Sequence, residues 1–296
     1  MNIILTNCDL CGSTRYVNRV IENSLPIVEC LDCGLVFVRE YPQMQNTAEV
    51  IDFYVNGANE EQANPILERY EGIYNHYAEI FASFLPPKAK VLDVGSGYGL
   101  FLSKMQKKGF DTFGLDVSRE CLEFAKRKYG LDNLFRQDLL ASEFPDNTFD
   151  LITLWNLFEH VCNPSEVIKK CAKLLKPNGV LVIKVPNMKF QKLVFKLIFL
   201  VDGIRKLNNT YHTGGKIPYL ATPPPAHLFG FTSNTMKKYF EKAGLTPTSL
   251  EPAKLSNSVN ESVLYKIMER SVNILFRISG KTINYSPTLL AYATKA

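Results

Sequence analysis

The sequence predicts a doubly wound α/β fold with a mostly parallel sheet, preceded by a small cysteine-rich module. Three observations predict it. Between residues 90 and 185, short apolar runs alternate with amphipathic segments, the pattern of strands joined by crossover helices. One of those runs, Val91-Leu92-Asp93-Val94, ends in an acid and feeds Gly95-Ser96-Gly97-Tyr98-Gly99, a glycine-rich turn at the mouth of a helix. Ahead of all this stand two Cys-x-x-Cys pairs.

The elements follow in order. Residues 66–85 carry apolar side chains at helical spacing (Ile66, Tyr70, Ile73, Tyr77, Ile80, Phe81, Phe84) and stop at Pro86-Pro87. Strands are expected at 91–94, 112–116, 133–137, 149–155 and 180–185, with helices at 99–108, 118–129 and 163–176 between them. Lys176-Pro177-Asn178-Gly179 reads as a turn. Thr232 suits the N-cap of a helix running to Ala243, with Gly244 as its stop. Residues 287–294 read as a last strand. The resulting division is a module over 1–40, a linker over 41–65 and one large domain over 66–296, interrupted by an insertion at about 187–231.

The glycine turn brings backbone close to a ligand. Its spacing is Gly-x-Gly-x-Gly, not the Gly-x-Gly-x-x-Gly that seats a pyrophosphate, and Asp93 suits a cationic ligand better than a polyphosphate. Asp116 ends the next strand, Phe113-Gly114-Leu115-Asp116, where an acid can bond both hydroxyls of a ribose. With the turn, Asp93 and Asp116 in this register, the chain resembles class I S-adenosylmethionine (SAM)-dependent methyltransferases. The resemblance covers roughly residues 70–250 and implies their Rossmann-like fold with a seven-stranded sheet. It also implies that Gly95, Ser96, Gly97 and Gly99 pack against the methionine part of SAM. Asp116 then holds its ribose and Asp138 lies near its adenine, with Asp93, Val117, Leu139 and Asn156 as further cofactor-binding positions.

Cys8-x-x-Cys11-Gly12 and Cys30-x-x-Cys33-Gly34 are separated by eighteen residues. Each pair lets two sulfurs reach one ion from a tight turn, and two turns close a tetrahedral site suited to structural zinc. The glycine after each pair is expected to free N–H groups to point at sulfur. A hairpin-like stretch, Arg15–Val17 with Pro26–Glu29, lies between them, so the module reads as a zinc ribbon. Some forty residues bury too little core to fold without a staple. A redox dithiol or paired disulfides are the rival readings.

Trp155-Asn156-Leu157-Phe158-Glu159-His160-Val161 follows the fourth strand and falls beside the cofactor site. Methyl transfer is an in-line displacement, so the enzyme must place the acceptor and take its proton. His160 is the first candidate base, His227 the second, and His212 a weaker third. Each could instead be structural, His160 by capping and His227 by anchoring its loop. Cys162 and Cys171 read as packing residues.

Composition narrows the function. Apolar content of 46% and charged content of 21% are ordinary for a globular protein, and a net charge of +5 is mild. In the ribbon, Arg15, Arg19 and Arg39 face Asp9, Glu22, Glu29, Asp32 and Glu40, a poor surface for phosphates. Nucleic acid is therefore a disfavoured partner. No basic segment with an apolar core opens the chain, and seven cysteines, four at metal spacing, argue for a reducing compartment, so a cytoplasmic protein is expected. Residues 190–207, FQKLVFKLIFLVDGIRKL, read as a buried helix covering a cavity, with a lid over the acceptor pocket, a subunit contact or a peripheral membrane surface as the alternatives. Asn208–Pro225 reads as a long loop covering the site. Ribbon-bearing methyltransferases of this kind resemble sugar methyltransferases, so the first expectation is methylation of a small-molecule or glycan hydroxyl. The alternatives are a quinone or lipid-like acceptor, or an RNA methyltransferase that grips through the ribbon. The sequence leaves the oligomeric state open.

Overall fold

The computed structural model describes residues 3–5, 7–42, 60–203, 219–222, 224, 226–254 and 263–296. The linker reading over 43–59, His212, residues 204–207 and most of the loop over 208–225 lie outside them.

A seven-stranded sheet forms the centre. Its strands are β6 (Lys90–Val94), β7 (Asp111–Asp116), β8 (Leu134–Arg136), β9 (Phe149–Trp155), β10 (Leu175–Pro186), β12 (Leu245–Pro252) and β13 (Thr288–Lys295). The order is β12-β13-β10-β9-β6-β7-β8. Pairings from β10 through β8 are parallel, and β13 is antiparallel to both its neighbours. The strand order reverses between β6 and β9, which opens a crevice at their carboxyl ends.

Most helices sit where the apolar spacing placed them: α2 (Leu100–Lys107), α3 (Arg119–Tyr129), α4 (Pro164–Leu174) and α6 (Ser233–Lys242). Thr232 caps α6 through a reciprocal bond with Thr235, and Gly244 follows at φ 76°. The helix expected from Ile66 starts earlier: α1 spans Glu60–Ala82 and contains Pro65, so the end of the expected linker is helical. Its Tyr74, Tyr77 and Phe81 pack around Trp155 at the end of β9 together with Phe101. This aromatic cluster seals one face of the sheet beside the crevice. The expected turn at Lys176–Gly179 is an interruption inside β10, which slips register between Leu175 and Val180.

The N-terminal module is a sheet with one strand borrowed from the large domain. β2 (Tyr16–Glu22) and β3 (Leu25–Cys30) form a hairpin whose tip, Asn23-Ser24, has positive φ at both residues. That is the backbone of a two-residue turn matched to strand twist. β4 (Val36–Val38) adds to β3, and β11 (Phe229–Gly230) adds to β4. A separate pair joins β1 (Ile3–Leu5) to β5 (Glu40–Pro42). Asp9, in the first cysteine turn, completes the joint. Its Oδ2 accepts from Ser165 N–H (3.0 Å) at the start of α4 and from the Tyr239 hydroxyl (2.8 Å) on α6. The first N–H groups of a helix have no partner inside it, and the α4 N-cap residue Asn163 supplies no side-chain bond. The ribbon supplies that cap. One turn on from Tyr239, Lys242 Nζ donates to the Leu10 carbonyl (2.8 Å).

α5 (Met188–Gly203) opens the 190–207 segment. Its Lys192 pairs with Glu29 of β3 at 2.8 Å, and Phe195 meets Tyr219 edge-on, so its first turns brace the ribbon and the neighbouring loop. Among the described residues no helix is long and apolar enough to cross a membrane. The last helix, α7 (Val263–Ile278), was not among the expected elements.

Candidate functional site

The cofactor side is built from one strand–turn–helix unit and the strand after it. Gly95, Gly97 and Gly99 all have positive φ, at 71°, 49° and 72°. Their reasons differ. A side chain at Gly97 would meet nothing within 4 Å, so the turn leaves open space there. A Cβ at Gly99 would stand 2.6 Å from the Ala125 Cβ, so that glycine lets α2 and α3 approach each other. Gly99 therefore has a packing task.

Asp116 ties the turn to the sheet. Oδ2 accepts from Gly97 N–H (2.7 Å) and Oδ1 from Ser118 N–H (2.8 Å). A carboxylate has about four acceptor positions, so Asp116 keeps at least one for a ribose hydroxyl. Burial raises its pKa, and the N–H groups of Ser118, Gly97 and Val117 counter that rise. Asp93 is only 2% exposed; Thr153 Oγ1 donates to it at 2.6 Å. Burial pushes it up to about 8, and a cation beside it would draw its proton off. Ser96 is buried with its Oγ unpartnered. An open turn, a free hydroxyl and two acids with spare acceptor positions fit a ligand that is cationic at one end and carries a diol. They fit SAM.

The other expected positions lie around this crevice. Asp138 is exposed and caps a turn by accepting from Leu140 N–H (2.8 Å), whereas Leu139 is buried. Val117 is half-buried behind Asp116. Asn156 takes φ 51°, uncommon for a non-glycine residue, and donates its N–H to the Lys184 carbonyl of β10 at 2.9 Å.

The acceptor side joins distant segments. Beyond β9, Glu159 is buried and His160 half-buried; His227 arrives from the loop before β11. The two imidazoles meet edge-on with centroids 4.6 Å apart. Each Nε2 is 4.0 Å from Glu159 Oε1. His160 Nδ1–H donates to the Ala226 carbonyl (2.7 Å) and His227 Nδ1–H to the Leu220 carbonyl (2.6 Å). These bonds fix the tautomer and leave Nε2 as the basic nitrogen of each neutral ring. Desolvation lowers the pKa of His160, against the Ala226 and Asn156 backbone; burial and the neighbouring His160 charge lower His227 to about 4. Burial pushes Glu159 up to about 8, against its own backbone N–H and the Lys184 charge. The ligand atoms of all three lie within 4.8 Å of one another, a spread that one small cation could bridge.

Sequence reasoning missed two neighbours. Thr153 holds Asp93, and Lys184 is a buried lysine on β10, with Nζ 5.4 Å from the Tyr70 ring centre. Desolvation takes Lys184 down to about 8, against the pull of Glu159. A lysine inside the run Leu181–Pro186 gives no signal of burial; only the packing of α1 over the sheet reveals it. Cys171 is buried as expected, whereas Cys162 is exposed.

In the ribbon, Cys8, Cys11, Cys30 and Cys33 converge, with Sγ pairs 3.3 Å (Cys8–Cys33) and 3.5 Å (Cys11–Cys30) apart. The expected N–H groups of Gly12 and Gly34 do not point at sulfur. They bond the carbonyls of Cys8 and Cys30, at 2.7 and 3.0 Å. The groups that face sulfur come from the backbone of Cys11, Ser13 and Leu35. The Cys8–Cys33 hydrogen bond lowers Cys33 to about 5 and raises Cys8.

Comparison with known proteins agrees with this geometry. A family model described as "Methyltransferase domain" matches residues 68–250. A ubiquinone biosynthesis O-methyltransferase from Photobacterium profundum is 32% identical over 142 residues, covering 46% of this chain and 57% of that protein. Another, from Proteus mirabilis, is 34% identical over 127 residues, covering 41% of this chain and 46% of that one. The chain thus spans about half the length of the curated relatives it matches. Among solved structures, a SAM-dependent methyltransferase from Listeria monocytogenes superposes with TM-score 0.52 at 17% identity, covering 77% of this chain and 99% of its own. One from Thermotoga maritima gives TM-score 0.51 at 14% identity, covering 84% and 99%. The chain belongs to the methyltransferase-domain family and carries the SAM-dependent methyltransferase fold.

Proposed function

We propose that the protein transfers a methyl group from SAM to an oxygen of a small acceptor, with His160 as the base. The observation that carries this reading is the meeting of His160, His227 and Glu159 just past the carboxyl end of β9, the strand paired with the one that feeds the glycine turn. Asp116 and the turn would hold the ribose and methionine part, with Ser96 Oγ and Asp93 as further partners. SAM bound there supplies a methyl group on a sulfonium, a leaving group that needs no acid. What remains is to orient a hydroxyl and remove its proton. His160 is neutral at neutral pH because burial lowers its pKa, and with Nδ1 bonded to Ala226 its Nε2 lies on the side of Glu159. His227, lowered further, orients the acceptor without competing for the proton.

For the acceptor, the relatives' role in ubiquinone biosynthesis favours a hydroxyl on a quinone-like aromatic over the sugar hydroxyl expected from the ribbon-bearing arrangement. The ribbon's four cysteines would hold one structural zinc, since all four positions of a tetrahedral site are filled by thiols. Labelled SAM offered with a panel of dihydroxylated aromatics and free sugars tests the acceptor. Transfer to the aromatics alone supports this reading, and transfer to sugars alone replaces it. Elemental analysis of the same protein should give one zinc per chain, and a metal-free protein with four titratable thiols removes the zinc.

A further inference from the structure

We propose that the N-terminal ribbon is a working part of the acceptor site, with Glu22 as a positioning residue for the two histidines. This rests on the reading of His160 and His227 as acceptor-facing groups.

Glu22 closes β2 at the hairpin tip, a place where carboxylates ordinarily face water. Here it is 4% exposed. Burying a carboxylate is unfavourable unless a partner compensates it. Its partner is the Tyr219 N–H, which donates to Oε1 at 2.7 Å from 197 residues away in sequence. The next residue repeats the contact: Asn23 Nδ2 donates to the Pro224 carbonyl at 2.7 Å. From β4, Val38 N–H donates to the Leu228 carbonyl at 2.8 Å. The ribbon therefore holds one loop at three points, Tyr219, Pro224 and Leu228.

Those points bracket the atoms that orient the imidazoles. The Leu220 carbonyl, which holds His227, follows Tyr219 directly. The Ala226 carbonyl, which holds His160, lies between Pro224 and Leu228. The large domain's own strand-like bonds, Leu228 N–H and Phe229 N–H to the Glu159 carbonyl, come after His227. The ribbon's grips lie on both sides of it. A shift of the ribbon tip therefore moves both carbonyls, and with them both Nε2 atoms. The cofactor turn, tied to Asp116 and the β7 end, shares none of these bonds.

The test compares Glu22→Ala with Glu22→Gln in the full-length protein. Glutamine keeps an oxygen that accepts from Tyr219 N–H; alanine does not. Nitrogen-labelled histidine resonances report both rings without any acceptor. The alanine variant should shift the His160 and His227 signals and lower kcat/KM for the acceptor by about 10- to 100-fold. SAM affinity by calorimetry and metal content should stay at the parent values, and glutamine should restore the histidine signals. Should Glu22→Ala fail to fold, Asn23→Gly, at an exposed position, keeps the positive-φ turn and makes the same test through the Pro224 contact. Unmoved histidine signals in the folded variants overturn the proposal. So does an equal loss of SAM affinity, which would make Glu22 a support of the whole fold. Shifted histidines with unchanged turnover keep the positioning and remove His160 as the base.

Discussion

The cofactor side and the acceptor side of this site are built by opposite means. Asp93, the glycine turn and Asp116 belong to one strand–turn–helix–strand stretch, and the bonds of Asp116 stay inside it, with Thr153 of β9 the one distant residue that holds Asp93. On the acceptor side, His160 follows β9, His227 precedes β11, Lys184 sits on β10, and Glu22 and Asn23 reach in from the ribbon. The first arrangement is a local solution to holding one constant ligand. The second can change by altering any of several segments, as a variable acceptor requires.

Three substitutions would break or sharpen that contrast. The largest effect is expected for His160→Ala, which should lower turnover by about 10²–10⁴-fold while SAM affinity stays constant. The parent's rate should fall as pH drops through the His160 pKa, because only the neutral ring accepts a proton. That limb should lie below the 6.5 of a free histidine and vanish in the variant. Stability runs the same way. The unfolded chain takes up protons on these histidines near 6.5 and the folded chain does not, so stability present above that pH declines below it.

Asp116→Ala should act on the other side. Losing hydrogen bonds to a charged group costs about 1.5–3 kcal/mol, or roughly 10- to 150-fold in SAM affinity. The histidine resonances should not move; if they do, the two sides are not independent. Asp9→Ala should have the smallest effect on chemistry. It strips the cap from α4 and leaves the Tyr239 hydroxyl without this acceptor, for a loss of about 1–2 kcal/mol in denaturant unfolding. An unchanged midpoint would mean that the ribbon's other contacts, β4–β11 pairing among them, hold it without Asp9.

The same contrast explains what the sequence could convey. The run from Val91 to Ser118 was legible because a strand, a turn, an N-cap and an acid at a strand end are local features. β12 was not: Leu-Thr-Pro-Thr-Ser-Leu-Glu-Pro carries two prolines, which argue against a strand. It survives as one because it lies at the sheet edge, with Pro247 at a slip in register. Cys8, Cys11, Cys30 and Cys33 were legible from spacing alone. That β4 would pair with Phe229–Gly230, or that Asp9 would cap α4, follows from tertiary contacts with no local signature. His160 and His227 could each be named as candidates, but nothing in their surroundings in sequence placed them together.

The β4–β11 pairing also constrains the order in which the protein is made. During synthesis β4 leaves the ribosome roughly 190 residues before the strand that covers its edge, and closing so long a loop is slow. Val36, Phe37 and Val38, all buried in the finished protein, then form an open apolar edge on the nascent chain. A chaperone or a neighbouring nascent chain would find that edge first. Truncated chains ending before Phe229 should accordingly aggregate through their N-terminal module.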